Sequence, residues 1–90
     1  PALAEIAKLL NDRPSLRLHV VGHTDSTRTL AGNLKLSAAR AASVVTALTG
    51  GHQIAASRLE AHGVGPLAPV ATNANEDGRA KNRRVDLVAQ

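Results

Sequence analysis

Two oppositely charged residues, Asp25 and Arg40, are the sequence's clearest candidates for binding a ligand. Asp25 directly follows a stretch typical of a strand, and Arg40 lies in a later stretch typical of a helix. If strand and helix pack together, both side chains face one cleft. A zwitterion would match such a pair, because its ammonium meets Asp25 and its carboxylate accepts two hydrogen bonds from Arg40. Spacing alone favours the simpler interpretation, a structural ion pair between the two residues that braces the loop.

The apolar pattern indicates which elements would position these residues. Apolar residues recur at helical spacing in two segments and alternate at strand spacing in three. The predicted elements are, in chain order, a helix over 1–11, a strand over 15–21, a helix over 33–49 that Asn33 can cap, a strand over 58–62, a helical turn over 77–82 and a strand over 84–89. Segment 63–76, rich in Gly, Pro and Asn, is predicted to be a long loop.

Each predicted strand has one apolar face and one charged face. This pattern predicts an α+β fold in which two helices pack on one face of a small mixed or antiparallel sheet. Opposite charges on the other face are expected to pair across strands. The residues predicted for that face are Arg17, His19, Glu60, Arg84 and Asp86.

Composition bounds both the size of the protein and its chemistry. Ninety residues are the size of one domain, and 43% hydrophobic residues with 20% charged residues is typical of a globular chain. The chain has no cysteine, which excludes disulfides and thiolate catalysis. A net charge of +4 favours an anionic partner, so a module that binds nucleic acid or another polyanion is an alternative. The absence of every aromatic residue argues against it, since single strands are bound by stacking.

Three blocks of residues, taken together, resemble the signature of the OmpA-like C-terminal domain family. The family pattern is roughly GHTD, N-x-x-LS-x-x-RA and GR-x-x-NRRV. The matching blocks are Gly22-His23-Thr24-Asp25, Asn33-Leu34-Lys35-Leu36-Ser37-Ala38-Ala39-Arg40-Ala41 and Gly78-Arg79-Ala80-Lys81-Asn82-Arg83-Arg84-Val85. One block alone is a weak signal, but three in the family's order and spacing, over nearly the whole chain, are specific.

The resemblance implies a non-catalytic domain that binds peptidoglycan non-covalently and needs no cofactor. Asp25 and Arg40 would occupy the two ligand-binding positions. Their ligand would be the diaminopimelate residue of the stem peptide, whose side-chain end carries both an ammonium and a carboxylate. The domain would anchor an envelope protein to the cell wall, on the periplasmic face of a bacterial envelope and at or near the outer membrane.

Supporting positions carry over from the same resemblance. Thr24 and Asn33 would hydrogen-bond the ligand or its loop, Leu36 would form an apolar wall, and Arg83 would edge the cleft and add positive potential.

Two features depart from the family. Arg28 stands where the family usually has glycine, which predicts an altered loop or an added contact. The chain also begins at the first helix, without the strand that precedes it in the family, so we expect residues 1–90 to be one domain from a longer envelope protein.

Other chemistry has less support in the sequence. No nucleophile lies in a recognisable triad, so an enzyme is not expected. His23 is expected to donate a hydrogen bond that fixes the loop beside Asp25. A sheet edge that recruits a partner strand is a third interpretation, compatible with wall binding. A zinc site needs ligands that converge on one point, and the sequence shows no such set among the four histidines, so no metal site is predicted: His19, His23, His52 and His62.

Overall fold

A computed structural model describes residues 2–90 of the chain. The elements are α1 (Ala2–Asp12), β1 (Leu18–His23), α2 (Leu30–Gly51), a single 3-10 turn (Ala56–Arg58), β2 (Leu59–Gly65), α3 (Glu76–Asn82) and β3 (Val85–Ala89). Each predicted helix and strand is present, with its ends shifted by up to three residues. The predicted start of the first helix, at Pro1, lies outside the described residues.

The three strands form one mixed sheet in the order β2-β1-β3. Strand β1 pairs with β2 in parallel and with β3 in antiparallel orientation. A parallel pair needs a long crossover connection, and α2 is that connection. The predicted α+β class with a mixed sheet is therefore confirmed. The helical turn predicted over 77–82 is present as α3.

The core lies between the sheet and the two long helices. It is built from Leu, Val, Ile and Ala alone, as the composition requires. Its buried members are Ala7, Leu10, Leu18, Val20, Ala41, Leu48, Ile54 and Leu59. Because they come from α1, β1, α2 and β2 together, both helices are held on the same face of the sheet. None of the helices within residues 2–90 has the length and apolarity to span a bilayer.

A pair of neighbouring glycines lets α2 lie directly against the sheet. Gly22 in β1 is the register partner of Gly63 in β2. A Cβ on Gly22 would lie 2.8 Å from the carbonyl carbon of Ser37, and one on Gly63 would lie 2.6 Å from Cα of Ala38. Only glycine fits where backbone approaches backbone this closely. The contact fixes α2 over the C-terminal ends of β1 and β2, where Asp25 lies.

Candidate ligand-binding site

Asp25 is buried at the end of β1, with only 6% of its surface exposed. One carboxylate oxygen, Oδ1, accepts hydrogen bonds from the backbone nitrogen of Thr27 at 3.0 Å and from its hydroxyl at 2.6 Å. The other, Oδ2, accepts from Nη1 of Arg83 at 2.8 Å. The bonds from Thr27, and then that from Arg83, lower the pKa of Asp25 to about 2. The carboxylate is therefore ionised at neutral pH.

The loop that carries Asp25 is held by buried side chains. The hydroxyl of Thr24 donates to the carbonyl of Asp25 at 2.8 Å, and the backbone nitrogen of Thr24 donates to the carbonyl of Gly65 at 2.9 Å. The amide nitrogen of Asn33 donates to the carbonyls of Asp25 and Arg28, at 3.2 and 3.3 Å. In this structure Thr24 and Asn33 thus hydrogen-bond the loop, one of the two roles expected of them.

The start of α2 differs from the prediction, and the difference explains the role of Asn33. The helix begins at Leu30, and Thr29 caps it by accepting a hydrogen bond from the backbone nitrogen of Gly32 at 3.1 Å. The prediction that Asn33 caps this helix was wrong. Asn33 lies inside the first turns, where its amide is free to reach back to the loop.

Arg83 links Asp25 to a second carboxylate, which the sequence analysis did not single out. Its Nη2 donates to Oε1 of Glu76 while Nη1 donates to Asp25. The hydrogen bond from Arg83 lowers the pKa of Glu76, and the bonds to Glu76 and Asp25 raise the pKa of Arg83. Glu76 begins α3 and Arg83 directly follows it, so this short helix presents both side chains.

The buried Asn82 fixes the loop that leads into α3. Its Oδ1 accepts from the backbone nitrogens of Val70 and Ala71, at 2.8 and 3.1 Å. Its Nδ2 donates to the carbonyl of Ala71 at 2.9 Å and to Oδ1 of Asn73 at 2.8 Å. Because Asn82 immediately precedes Arg83, the same anchor positions Arg83 beside Asp25.

All six residues predicted for the ligand site line one cavity of about 230 Å³. Arg40 lies exposed on α2, and Leu36 is half-buried. The ion pair of Asp25 is with Arg83, so the alternative of a structural Asp25–Arg40 pair is not what the structure contains. The full lining is Thr24, Asp25, Thr27, Arg28, Asn33, Leu36, Arg40 and Arg83.

Thr27 also lines the cavity, although it was not predicted from the sequence. An Asp whose side chain bonds the backbone two residues later is a common turn, so Asp25 followed by Thr27 was a readable signal. Arg28, noted only as a departure from the family, also lines the cavity. Three arginines and one aspartate thus line the cavity.

The densest basic segment is largely engaged with carboxylates. Arg83 pairs with Asp25 and Glu76, and Nε of Arg79 lies 3.3 Å from Glu76. Nη2 of Arg84 lies 3.2 Å from Asp86. A surface for a polyanion needs cations that are free to meet phosphates, and three of the four basic residues over 79–84 are already paired.

His23 does not fix the loop beside Asp25, and that expectation was wrong. Residues alternate across a strand, so its ring lies on the sheet face opposite the helices, with Nε2 3.0 Å from Oδ2 of Asp86. Burial, and then the charge of Arg84, lower the pKa of His23, while Asp86 opposes the shift. Arg84 pairs with Asp86 two residues along the same segment, not across strands as expected. The contacts that do cross strands involve histidines, His23 with Asp86 and His19 with Glu60.

Fold and cavity together define a small α+β domain whose candidate ligand cavity lies between the end of β1, the start of α2 and the end of α3. A model of the OmpA family matches residues 1–83, and the chain belongs to this family.

Known proteins similar to this chain fit that assignment. The protein named "Probable lipoprotein YiaD" from Escherichia coli strain K12 is 42% identical over 86 residues, which are 94% of this chain and 38% of the relative. Peptidoglycan-binding protein ArfA from Mycobacterium tuberculosis strain H37Rv is 38% identical over 86 residues, 96% of this chain and 26% of the relative. The crystal structure of the peptidoglycan-associated lipoprotein from Burkholderia pseudomallei superposes with a TM-score of 0.90 at 35% identity, covering 98% of this chain and 74% of that one. The chain therefore spans well under half the length of the two curated relatives.

Proposed function

We propose that this domain binds peptidoglycan non-covalently and without catalysis, by holding the zwitterionic side-chain end of diaminopimelate. One observation carries the proposal: an ionised Asp25 and an exposed Arg40 line the same small cavity. The names of two similar proteins, a peptidoglycan-binding protein and a peptidoglycan-associated lipoprotein, support the same partner. The cavity is smaller than the about 300–1,000 Å³ of sites for drug-sized ligands, which suits one amino-acid end group.

Asp25 can accept an ammonium without losing its present partners. A carboxylate offers about four lone-pair sites, and Thr27 and Arg83 occupy three of them. The remaining site, on Oδ2, would accept a hydrogen bond from the ligand's ammonium. Because Asp25 is buried and charged, that bond is stronger than one made at an open surface.

Arg40 would bind the carboxylate of the same ligand end. Among residues 2–90, no carboxylate forms an ion pair with Arg40, so its planar fork is available for two parallel hydrogen bonds. Leu36 would pack against the methylene chain that leads to the end group.

Arg28 strengthens the case for a ligand that carries a carboxylate. With Arg40 and Arg83, it leaves the cavity positive even after the charge of Asp25 is counted. A lysine side chain would bring only an ammonium into this field, whereas diaminopimelate brings both charges. We therefore propose that Arg28 replaces the usual glycine with an additional cationic contact.

The proposal extends to the parent protein. Residues 1–90 would be the wall-binding domain of a longer envelope protein, tethered to peptidoglycan on the periplasmic side of the outer membrane. The polyanion alternative has less support, because the basic segment around α3 is paired with Glu76, Asp25 and Asp86.

Sedimentation with purified diaminopimelate-type peptidoglycan tests the proposal. We expect Asp25→Asn and Arg40→Gln to abolish co-sedimentation, because removing one partner of a buried charge pair costs about 2–5 kcal/mol of binding free energy. The matched control is Arg13→Gln, an exposed arginine outside the cavity. Co-sedimentation that survives in both site variants, each still folded at the temperature of the assay, would contradict the proposal.

A further inference from the structure

Three metal-binding side chains converge on the sheet face opposite the helices. Nδ1 of His19 lies 2.9 Å from Nε2 of His62. Glu60 approaches both rings, with Oε1 3.3 Å from Nε2 of His62 and Oε2 4.0 Å from Nδ1 of His19. One ligand atom from each residue lies within 4.8 Å of the others. We propose that these residues form a binding site for a divalent transition-metal ion, separate from the peptidoglycan site.

Strand register brings the three residues together. His19 in β1 is the register partner of Glu60 in β2, and His62 lies two residues after Glu60. Side chains two apart on a strand share a face, so all three project on the same side. Since β1 is the central strand of the sheet, the ladder on both sides holds His19 in place. Ligands that project from paired strands are positioned more rigidly than ligands on a loop.

The distances suit a metal ion with short bonds. Zinc binds imidazole nitrogen and carboxylate oxygen at about 2.0–2.2 Å in a tetrahedral arrangement, which separates neighbouring ligand atoms by about 3.4 Å. The two imidazole nitrogens lie 2.9 Å apart, and those of His62 and His19 lie 3.3 and 4.0 Å from different oxygens of Glu60, all near that spacing.

The donor set selects the class of metal. Two imidazole nitrogens and one carboxylate oxygen suit zinc, nickel, cobalt or copper, whereas magnesium and calcium prefer oxygen ligands throughout. Three protein ligands leave a fourth position for water or another molecule. The charge of Glu60 offsets part of the charge of the ion.

Ions in solution can reach these side chains. The exposed fractions are 35% for His19, 40% for His62 and 56% for Glu60. By contrast, His23 is buried on the same face and already contacts Asp86, so it belongs to a separate cluster. The site therefore needs no opening of the fold to bind its ion.

Calorimetric titration of the tag-free chain with zinc chloride, and separately with nickel chloride, tests this inference. We expect one ion per chain, and weakening by about tenfold or more in His19→Gln and in His62→Gln. His52→Gln is the matched control, because His52 caps the C-terminal end of α2 outside the cluster. The proposal would be overturned if both site variants bound the metal as tightly as the wild type, or if His52→Gln lost as much affinity as they do. It would also be overturned if neither metal showed saturable binding.

Two further readouts separate this site from the wall-binding site. Zinc should raise the melting temperature of the wild type but not that of His62→Gln, because an ion that binds only the folded state stabilises it. Zinc should also shift the NMR signals of the His19 and His62 rings, while His62→Gln still co-sediments with peptidoglycan. Shifts at His52 alone would overturn the proposal.

Discussion

Asp25 shows how a short loop can hold a buried charge ready for a ligand. Its two oxygens accept three hydrogen bonds, two of them from Thr27 only two residues away. Local bonds form with little loss of chain entropy, whereas the bond from Arg83 closes a long segment. The local turn therefore fixes the direction of the carboxylate, and Arg83 adds a balancing charge.

The low pKa of Asp25 makes part of the free energy of unfolding depend on pH. The folded pKa, about 2, lies below the usual value near 3.9, so the unfolded chain takes up the proton first. The stabilisation is complete above the unfolded pKa and is lost as the pH falls from about 4 to 2. It amounts to at most about 2.5 kcal/mol.

Urea unfolding across this pH range checks that expectation. Above pH 5 Asp25→Asn should be less stable than wild type, and the difference in unfolding free energy should shrink as the pH falls to 2. Asp12→Asn, at an exposed position at the end of α1, controls for loss of one charge. A difference that stays constant from pH 7 to pH 2 would show that the carboxylate is not stabilised in this way.

At the scale of elements, the site depends on how closely α2 approaches the sheet. The approach at Gly22 and Gly63 sets the height of the helix above β1 and β2. Arg40 lies less than one turn beyond Ser37 and Ala38, the residues that touch the glycines. A helix displaced there would carry Arg40 away from Asp25.

Gly63→Ala should therefore damage the fold. Its Cβ would meet backbone atoms of α2, which cannot move aside as a flexible side chain would. We expect a loss of about 2–3 kcal/mol of unfolding free energy, measured by urea denaturation. Gly50→Ala is the contrasting control, because nothing lies within 4 Å of its added Cβ and alanine favours a helix by up to about 1 kcal/mol. Equal effects of the two substitutions would refute this account of the helix–sheet contact.

Local periodicity was enough to predict the helices and strands, but not the contacts that set their ends. Strand β2 continues to Gly65, beyond its predicted end at 62, because Gly63 serves the contact with α2 and does not begin a loop. Thr29 and Asn33 are both good capping residues, and the choice between them depends on loop carbonyls that only the folded chain brings near.

In the candidate site too, local sequence features were predicted and long-range contacts were not. Motif spacing and family resemblance identified Asp25, Arg40 and the four supporting residues, which the structure places around one cavity. The link from Arg83 to Glu76 is local to α3 and was overlooked. The contact of Arg83 with Asp25 was not predicted, because it depends on the path of the loop over residues 66–75 and on its anchor at Asn82. The cluster of His19 with His62 was not predicted, because these residues meet across two strands whose register the sequence pattern does not specify.

At the scale of the whole molecule, the two proposed sites lie on different parts of one small sheet. The wall-binding cavity lies at the ends of β1 and α2, and the proposed metal site lies on the open face of β1 and β2. Asp25 and Glu60 are separated by the sheet itself, so each site can be altered without removing a partner from the other. The protein therefore offers independent tests of the two proposals.

The central claim is that Asp25 and Arg40 together recognise a ligand end that carries both charges. Calorimetry tests it most directly, with one stem peptide containing diaminopimelate and a second in which lysine replaces it. The wild type should bind the diaminopimelate peptide at least about tenfold more tightly, because one charge-assisted contact to the carboxylate is worth about 1.5–3 kcal/mol. Arg40→Gln should lose most of that preference. Equal affinity of the wild type for both peptides, or an undiminished preference in Arg40→Gln, would contradict the claim.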